Sequence, residues 1–315
     1  MKAIMQDQYG PADVLRLADL GEPTIDDDEV LVRVHAAGVD PGVWHLMTGL
    51  PYAVRLGFGL RRPRSSVPGS DLAGVVERVG SAVTGFAPGD EVFGSGRGTY
   101  AELAVARADR LAHKPPQATF AEAAAVPVSG MTALQGLRAG GVGADRRVLI
   151  FGAGGGVGSM AVQLARAYGA SVTGVSRPRK ADLVRSLGAD TEVTGRYHLV
   201  LDTAGNRPLR ALRALLTPDG TAVLIGGEGA GGRVLAGFDR QMRAMVLGPV
   251  LRPRVRALMS VPRPADLETL AAHLADGRLR PAIDRTFALA EAPAAIRYAA
   301  TGAPAGKVVV IVTQG

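Results

Sequence analysis

Residues 151–160, FGAGGGVGSM, hold five glycines, with the spacing Ala153-x-Gly155-x-x-Gly158. The run RRVLI (146–150) before them reads as a buried strand, and MAVQLARAYGA (160–170) after them as a buried helix stopped near Gly169. Gly154, Gly155, Gly156, Val157 and Gly158 therefore form a strand-to-helix turn where a ligand meets bare backbone. Free N–H groups at the positive end of a helix suit a pyrophosphate. The spacing is the dinucleotide fingerprint with Ala153 in its first position. A glycine turn without a ligand is the plainer alternative. Residues 148–165 are also uncharged over the length of a membrane span. Five glycines in ten residues argue against the span, and a second β-run at 170–175, one βαβ unit on, argues for the nucleotide.

The residues after that second strand select the cofactor. An NAD site wants Asp or Glu at its end, to hold the ribose 2′-hydroxyl. Here Val175 is followed by Ser176-Arg177-Pro178-Arg179-Lys180. No carboxylate repels a 2′-phosphate and three cations are available to pair with it, so the reading is NADPH, against a merely solvated basic loop.

Composition excludes several other chemistries. The 315 residues include no cysteine, which removes disulfides, thiol catalysis and cysteine-ligated zinc. The formal charge of +7 is nearly all arginine, with lysine only at positions 2, 114, 180 and 307. Scattered basic residues and 4% aromatics fit an arginine-rich surface better than a nucleic-acid platform. The first residues are too polar for a signal peptide, and nothing else reads as a targeting or spanning segment. The expectation is a cytoplasmic protein with no nucleic-acid or membrane partner and a possible homodimer.

The elements that position these residues fall into two regions. Up to about residue 110 the pattern is of short strands, EVLVRVHAAGV (29–39), DLAGVVERVG (71–80), DEVFGS (90–95) and TYAELAVA (99–106), separated by glycine turns, as in a barrel-like β domain. Residues 49–68 fit neither period and read as a long loop. From Phe120 helices and strands alternate through RVLIF, ASVTGV, LVLDT and TAVLIGG, the signature of a doubly wound parallel sheet. The last fifty residues hold two helices and two strands, ending in KVVVIV, that could return to the first domain. The expected division is 1–119 with 261–315, and 120–260. Only TEVTGRYH separates Asp190 from LVLD, which leaves no room for a crossover helix and predicts an abridged third strand.

In AAGVDPGVW (36–44), VPGSDLAGVVERVG (67–80), PGDEVFG (88–94), VPVSGMTAL (126–134), the glycine turn, LDTAGN (201–206) and GKVVV (306–310), the chain resembles the medium-chain dehydrogenase/reductase superfamily, in its zinc-free quinone reductase branch. The resemblance implies an α/β fold: an N-terminal GroES-like β-barrel domain plus a doubly wound Rossmann domain, with the C-terminal segment returning to the first. It implies that Ser176 and Lys180 serve NADPH, and it adds Thr132, Ala204 and Gly226 to the cofactor-binding set with Arg177.

In the zinc branch a cysteine and a His-Glu pair hold the catalytic metal; the matching positions here are Asp40 and Ser70-Asp71. That donor set lacks the thiolate and imidazole zinc prefers. Metal-free chemistry then needs an acceptor that is already electrophilic, a quinone or an α,β-unsaturated carbonyl, reduced by hydride. His45, placed by the resemblance where the zinc branch has a relay histidine, is the first candidate proton donor, with Asp40 and Tyr52 behind it. Each also has a plainer reading, as a packing or structural residue. Trp44 is either a cleft wall or core, and Leu50, Tyr52, Leu56 and Phe58 hint at a lipophilic substrate, although apolar loops often fold back on their domain. An NADPH-binding regulatory or scaffold protein, a metal-free alcohol/carbonyl oxidoreductase and a nucleic-acid binder are the alternatives.

Overall fold

A computed structural model describes residues 1–226, 238–248 and 252–313; Gly227, the last residue of TAVLIGG, lies outside them. The chain divides into two compact units: residues 1–129, 262–277 and 283–315, and residues 130–261 with 278–282.

The first unit is built on strands β1 (Lys2–Met5), β2 (Arg16–Asp19), β3 (Glu29–Val39), then helices α1 (Pro41–Thr48) and α2 (Val54–Phe58), strands β4 (Asp71–Val79), β5 (Glu91–Ser95), β6 (Leu103–Arg107), β7 (Leu111–His113) and helix α3 (Phe120–Ala125). Helix α4 (Pro127–Ala139) follows. The second unit holds β8 (Arg147–Phe151), α5 (Gly156–Ala167), β9 (Ser171–Val175), α6 (Ala181–Ser186), β10 (Tyr197–Asp202), α7 (Leu209–Ala214), β11 (Leu216–Leu224), α8 (Phe238–Leu247) and β12 (Arg254–Ala257). The chain then adds α9 (Pro264–Ala275), β13 (Ile283–Ala288), α10 (Ala292–Ala300) and β14 (Lys307–Ile311) to the first unit.

The large sheet of the first unit runs β13-β14-β3-β4-β5-β7, with β6 also paired to β3. Strand β3 is apolar along almost its whole length because both its edges and faces are covered, so alternation gives way to a continuous buried run. Val30, Val32, Leu72, Tyr100, Val308 and Ile296 share its core. The returning strand β14 pairs antiparallel with β3, Val308 opposite Val39. The second unit is a parallel sheet in the order β12-β11-β10-β8-β9, as the alternating pattern predicts.

Three differences from the sequence reading have physical causes. The residues after Val39, to which the pattern assigns no element, form a helix: Pro41 occupies the first turn, Asp40 precedes it in extended conformation, and Gly49 at φ 64° ends it. Residues 49–68 are not wholly irregular, since they contain α2. The boundary expected at 119/120 falls at 129/130, because α3 belongs to the β unit. Its start is fixed by a capping box, Thr119 Oγ1 accepting from Glu122 N while Glu122 accepts from Thr119 N. Its Ala124 carbonyl lies so close to β3 that a Cβ on Gly38 would come within 2.6 Å of it. Residues 278–282 instead join the nucleotide unit, where Arg280 N donates to Gln163 Oε1 at 2.8 Å.

The abridged edge is as the residue count requires. Asp190 makes a single bridge to Thr173, β9 closes the sheet, and residues 191–196 contain no helix. No helix among the described residues is long and apolar enough to cross a membrane.

Gly38→Ala should force α3 off the sheet and lower stability by about 1–3 kcal/mol, read as a lower urea midpoint with an unchanged slope.

Candidate functional site

The glycine turn divides its labour by position. Gly152 turns the chain at φ 79°, a conformation that favours glycine. A Cβ on Gly158 would lie 2.1 Å from Gly152 O and 2.8 Å from Ala153 Cα, so the third fingerprint glycine is there for close packing of α5 on β8. A Cβ on Gly155 would meet only Gly152 O, at 3.4 Å. The face of the second glycine is thus open to a ligand, just where α5 starts with Gly155 as its cap residue. Ala153 is fully buried beneath the turn, and Gly156 and Val157 open the helix.

Lys180 packs against this turn: a Cβ on Gly154 would lie 2.7 Å from Lys180 Cβ and 3.0 Å from its Cδ. A lysine with its stem buried and seated on the phosphate turn is positioned by tertiary packing, not by a solvated loop. Ser176 Oγ donates to the carbonyl of Arg177, whose side chain is exposed. The next carboxylate, Asp182, is exposed and paired with Arg185. The structure therefore brings Ala153, Gly154, Gly155, Gly158 and Lys180 together, with Ser176 and Arg177 at the adjoining strand end.

Ala204 and Gly226 meet at the ends of β10 and β11. Thr203 Oγ1 donates to Phe151 O at 2.8 Å, and a Cβ on Gly226 would come within 2.4 Å of Thr203 O. Buried Asp202 organises both loops: its Oδ1 accepts from Gly205 N, its carbonyl from Ile225 N, and its Oδ2 takes Arg240 of α8. Arg240 escaped the sequence reading because only packing brings α8 to that strand end. Thr132 is buried on α4.

The second arrangement lies in the β unit. Antiparallel pairing sets the start of β14, the end of β3 and the start of β4 side by side. It therefore gathers Lys307, Asp40 and Asp71, all buried. Lys307 Nζ lies 2.6 Å from Asp40 Oδ1, 3.8 Å from Asp71 Oδ2 and 3.2 Å from Ser129 Oγ. Ser129 donates to Asp40 Oδ1 at 3.2 Å, and Val128 N donates to Asp71. Asp40 Oδ2 is buried and takes none of these bonds. Burial, then the neighbouring Asp40 charge, pushes the Asp71 carboxyl well above the usual carboxylate range. Burial also pushes Asp40 up, but Lys307 and the surrounding hydrogen bonds outweigh it and hold Asp40 below its ordinary value. These opposite directions place the proton of the pair on Asp71 and leave Asp40 as the carboxylate paired with Lys307.

Each catalytic candidate has contacts of its own. Asp40 is charge-paired in the interior. His45 is half-buried on α1, its Nδ1 donating to Leu50 O at 2.7 Å. Tyr52 is 45% exposed beneath the Arg55 guanidinium. Trp44 packs half-buried on the β-unit core. Sequence reasoning missed Lys307 and Ser129; the signal for Lys307 was a rare lysine heading a strand of four apolar residues.

Two family models match the chain: an alcohol dehydrogenase GroES-like domain over residues 26–116 and a zinc-binding dehydrogenase over residues 175–310. A 2-methylene-furan-3-one reductase of Solanum lycopersicum is 32% identical over 98% of this chain and 79% of its own. An NADPH-dependent alkenal/one oxidoreductase of Arabidopsis thaliana chloroplasts is 31% identical with the same coverage. The structure of a quinone oxidoreductase from Coxiella burnetii superposes with a TM-score of 0.82 at 30% identity, covering 99% of each chain. The zinc in one family description does not fit these residues. The carboxylates at the matching positions are joined by an ammonium group that bonds Asp40, and among the described residues no group of three His, Cys, Asp or Glu side chains could hold a metal ion.

Lys307→Met should leave Asp40 ionised and unpaired and cost about 3–5 kcal/mol, with Asp40→Asn in the same chain recovering part of it in thermal unfolding. Asp71→Asn keeps a donor for Asp40 and should change stability by no more than about 1 kcal/mol. A carboxyl raised in the fold contributes stability that is full at acid pH and declines as pH rises through its folded value. The wild-type Tm should therefore fall more steeply than that of Asp71→Asn as pH rises from the ordinary carboxylate range to the raised folded value.

Proposed function

We propose a reaction course for a chain that belongs to the medium-chain dehydrogenase/reductase superfamily, in its quinone oxidoreductase-like branch. It is an NADPH-dependent reductase of a quinone or an α,β-unsaturated carbonyl. The observation that carries the cofactor half is the buried Lys180 stem on the glycine turn, beside a strand end without a carboxylate. Gly155 and the start of α5 would receive the pyrophosphate, and Ser176, Arg177 and Lys180 the 2′-phosphate. Bound NADPH supplies hydride equivalents.

The chain's own part is binding, orientation and one proton. The Asp40–Asp71–Lys307 set does not suit a Lewis-acid metal, so the acceptor assigned here carries its own electrophilic carbon, as quinones and enones do. Hydride addition there leaves an enolate or hydroquinone anion that takes up one proton. His45 is our candidate donor. Its Nδ1 hydrogen is committed to Leu50 O, so Nε2 is the nitrogen that would carry a transferable proton. Asp40, buried and held by Lys307 at the start of α1, is assigned here to positioning the helix that carries His45.

The direct test is steady-state consumption of NADPH with a panel of quinones and enones. Tight NADPH binding without turnover on any of them would leave a cofactor-binding scaffold. Lys180→Ala should weaken NADPH by about tenfold or more, the loss of one charge-assisted phosphate contact, and leave NADH nearly unchanged. Equal losses would refute the phosphate assignment. His45→Gln should lower kcat several-fold while NADPH affinity holds; an unchanged kcat would assign the proton to water.

A further inference from the structure

Apolar loops usually fold back on their domain, but the one after α1 does not. Leu56 is 74% exposed, Phe58 52% and Leu60 68%, three large apolar side chains within five residues. This projection is built. Gly49, at φ 64°, turns the chain out of α1, and Arg55 stacks on the rings of Tyr9 and Tyr52, at 4.5 and 4.8 Å, while its Nε donates to Gly49 O. Tyr9 donates its hydroxyl to Gly59 O at 2.6 Å, and Arg64 N donates to Phe58 O. Arg55 is thus spent on holding the segment's shape, and the apolar side chains point to solvent around a fixed frame.

The charge beside them is one-sided. Residues 41–70 contain no Asp or Glu. Arg61, Arg62 and Arg64 follow the apolar trio directly, all exposed, and none forms an ion pair among the described residues. Apolar side chains at a tip with arginines at its base are the two parts of an interfacial anchor: the first enter the acyl boundary, and the second meet anionic headgroups. A nucleic acid would use the arginines and leave Leu56 and Leu60 in water; a lipid surface uses both.

We propose that residues 56–64 seat this protein peripherally on an anionic lipid surface. This departs from the expectation of no membrane partner, and it extends beyond the reductase reading, whose cofactor half stands on residues of the other unit. A lipophilic acceptor dissolved in that surface would then be met where it is concentrated.

The chain has no cysteine, so one introduced cysteine labels one site. Gly57 is exposed, and a Cβ there meets nothing within 4 Å. Gly57→Cys carrying an environment-sensitive fluorophore leaves all three apolar residues in place, and Glu22→Cys, exposed on the same unit, is the control. With vesicles containing phosphatidylglycerol at low salt, the Gly57 label should shift to the blue, the Glu22 label should not, and the protein should float with the vesicles. Binding should fall at least about tenfold for Arg61, Arg62 and Arg64 changed together to Gln, and at about 1 M salt. It should fall comparably for Leu56, Phe58 and Leu60 changed together to Ser. The Tm and NADPH affinity of both triple variants, read at a site in the other unit, show that they are folded. Absence of flotation at low salt overturns the proposal. So does equal binding to pure phosphatidylcholine. Binding that survives the Ser variant, is lost in the Gln variant and is competed by duplex DNA would also overturn it, assigning a general polyanion surface instead.

Discussion

The β unit depends on charge neutrality at one point inside it. Two carboxyls and an ammonium group meet where three strand ends adjoin, and none reaches water. Taking those charges out of solvent is costly unless each is matched. Lys307 neutralises Asp40, and burial beside that charge raises the Asp71 carboxyl toward its neutral form. The arrangement ties segments far apart in the chain, since Lys307 lies near the C-terminus and Asp40 and Asp71 near the start. A strand entering from the last residues of the chain therefore closes the charge of the first domain.

That constraint reaches the chemistry. In a metal-dependent site, the same strand ends would present soft or nitrogen ligands to a cation that polarises the substrate. Here the cation is the chain's own ammonium group, fully engaged and buried. The reaction left to such a scaffold is one whose acceptor is already activated. The role of Asp40 follows from the same placement. At the start of α1, held from one side by Lys307 and from the other by Ser129, it fixes the helix on which His45 and Trp44 stand.

The nucleotide unit answers to a different constraint, the distance of closest approach. Gly158 has no side chain because α5 lies against Gly152 and Ala153, while a Cβ on Gly155 would meet only Gly152 O, so that face stays open. This part was legible in the residues, since a fingerprint records local geometry and the spacing of glycines is that geometry. The abridged edge was legible too: eight residues between Asp190 and Leu199 cannot make a strand, a helix and a crossover. Helix α1 was written in the sequence as Asp40-Pro41 at one end and Gly49 at the other, but a helix of two turns with three buried residues gives too little periodicity to be seen.

By itself the sequence determined the two-domain order, the parallel sheet, the glycine turn and the absence of thiol chemistry, because each rests on composition or on residues close in the chain. Only the tertiary structure decided the rest. Lys307 meets Asp40 across 267 positions, and antiparallel pairing of β14 with β3 alone makes them neighbours. The stem of Lys180 lies on the glycine turn because α5 and the loop after β9 pack together, a contact that no spacing encodes. Whether Leu56, Phe58 and Leu60 turn inward or outward likewise depends on what covers them. An apolar residue type records affinity for burial and not its fulfilment, so exposure is a property of the folded chain.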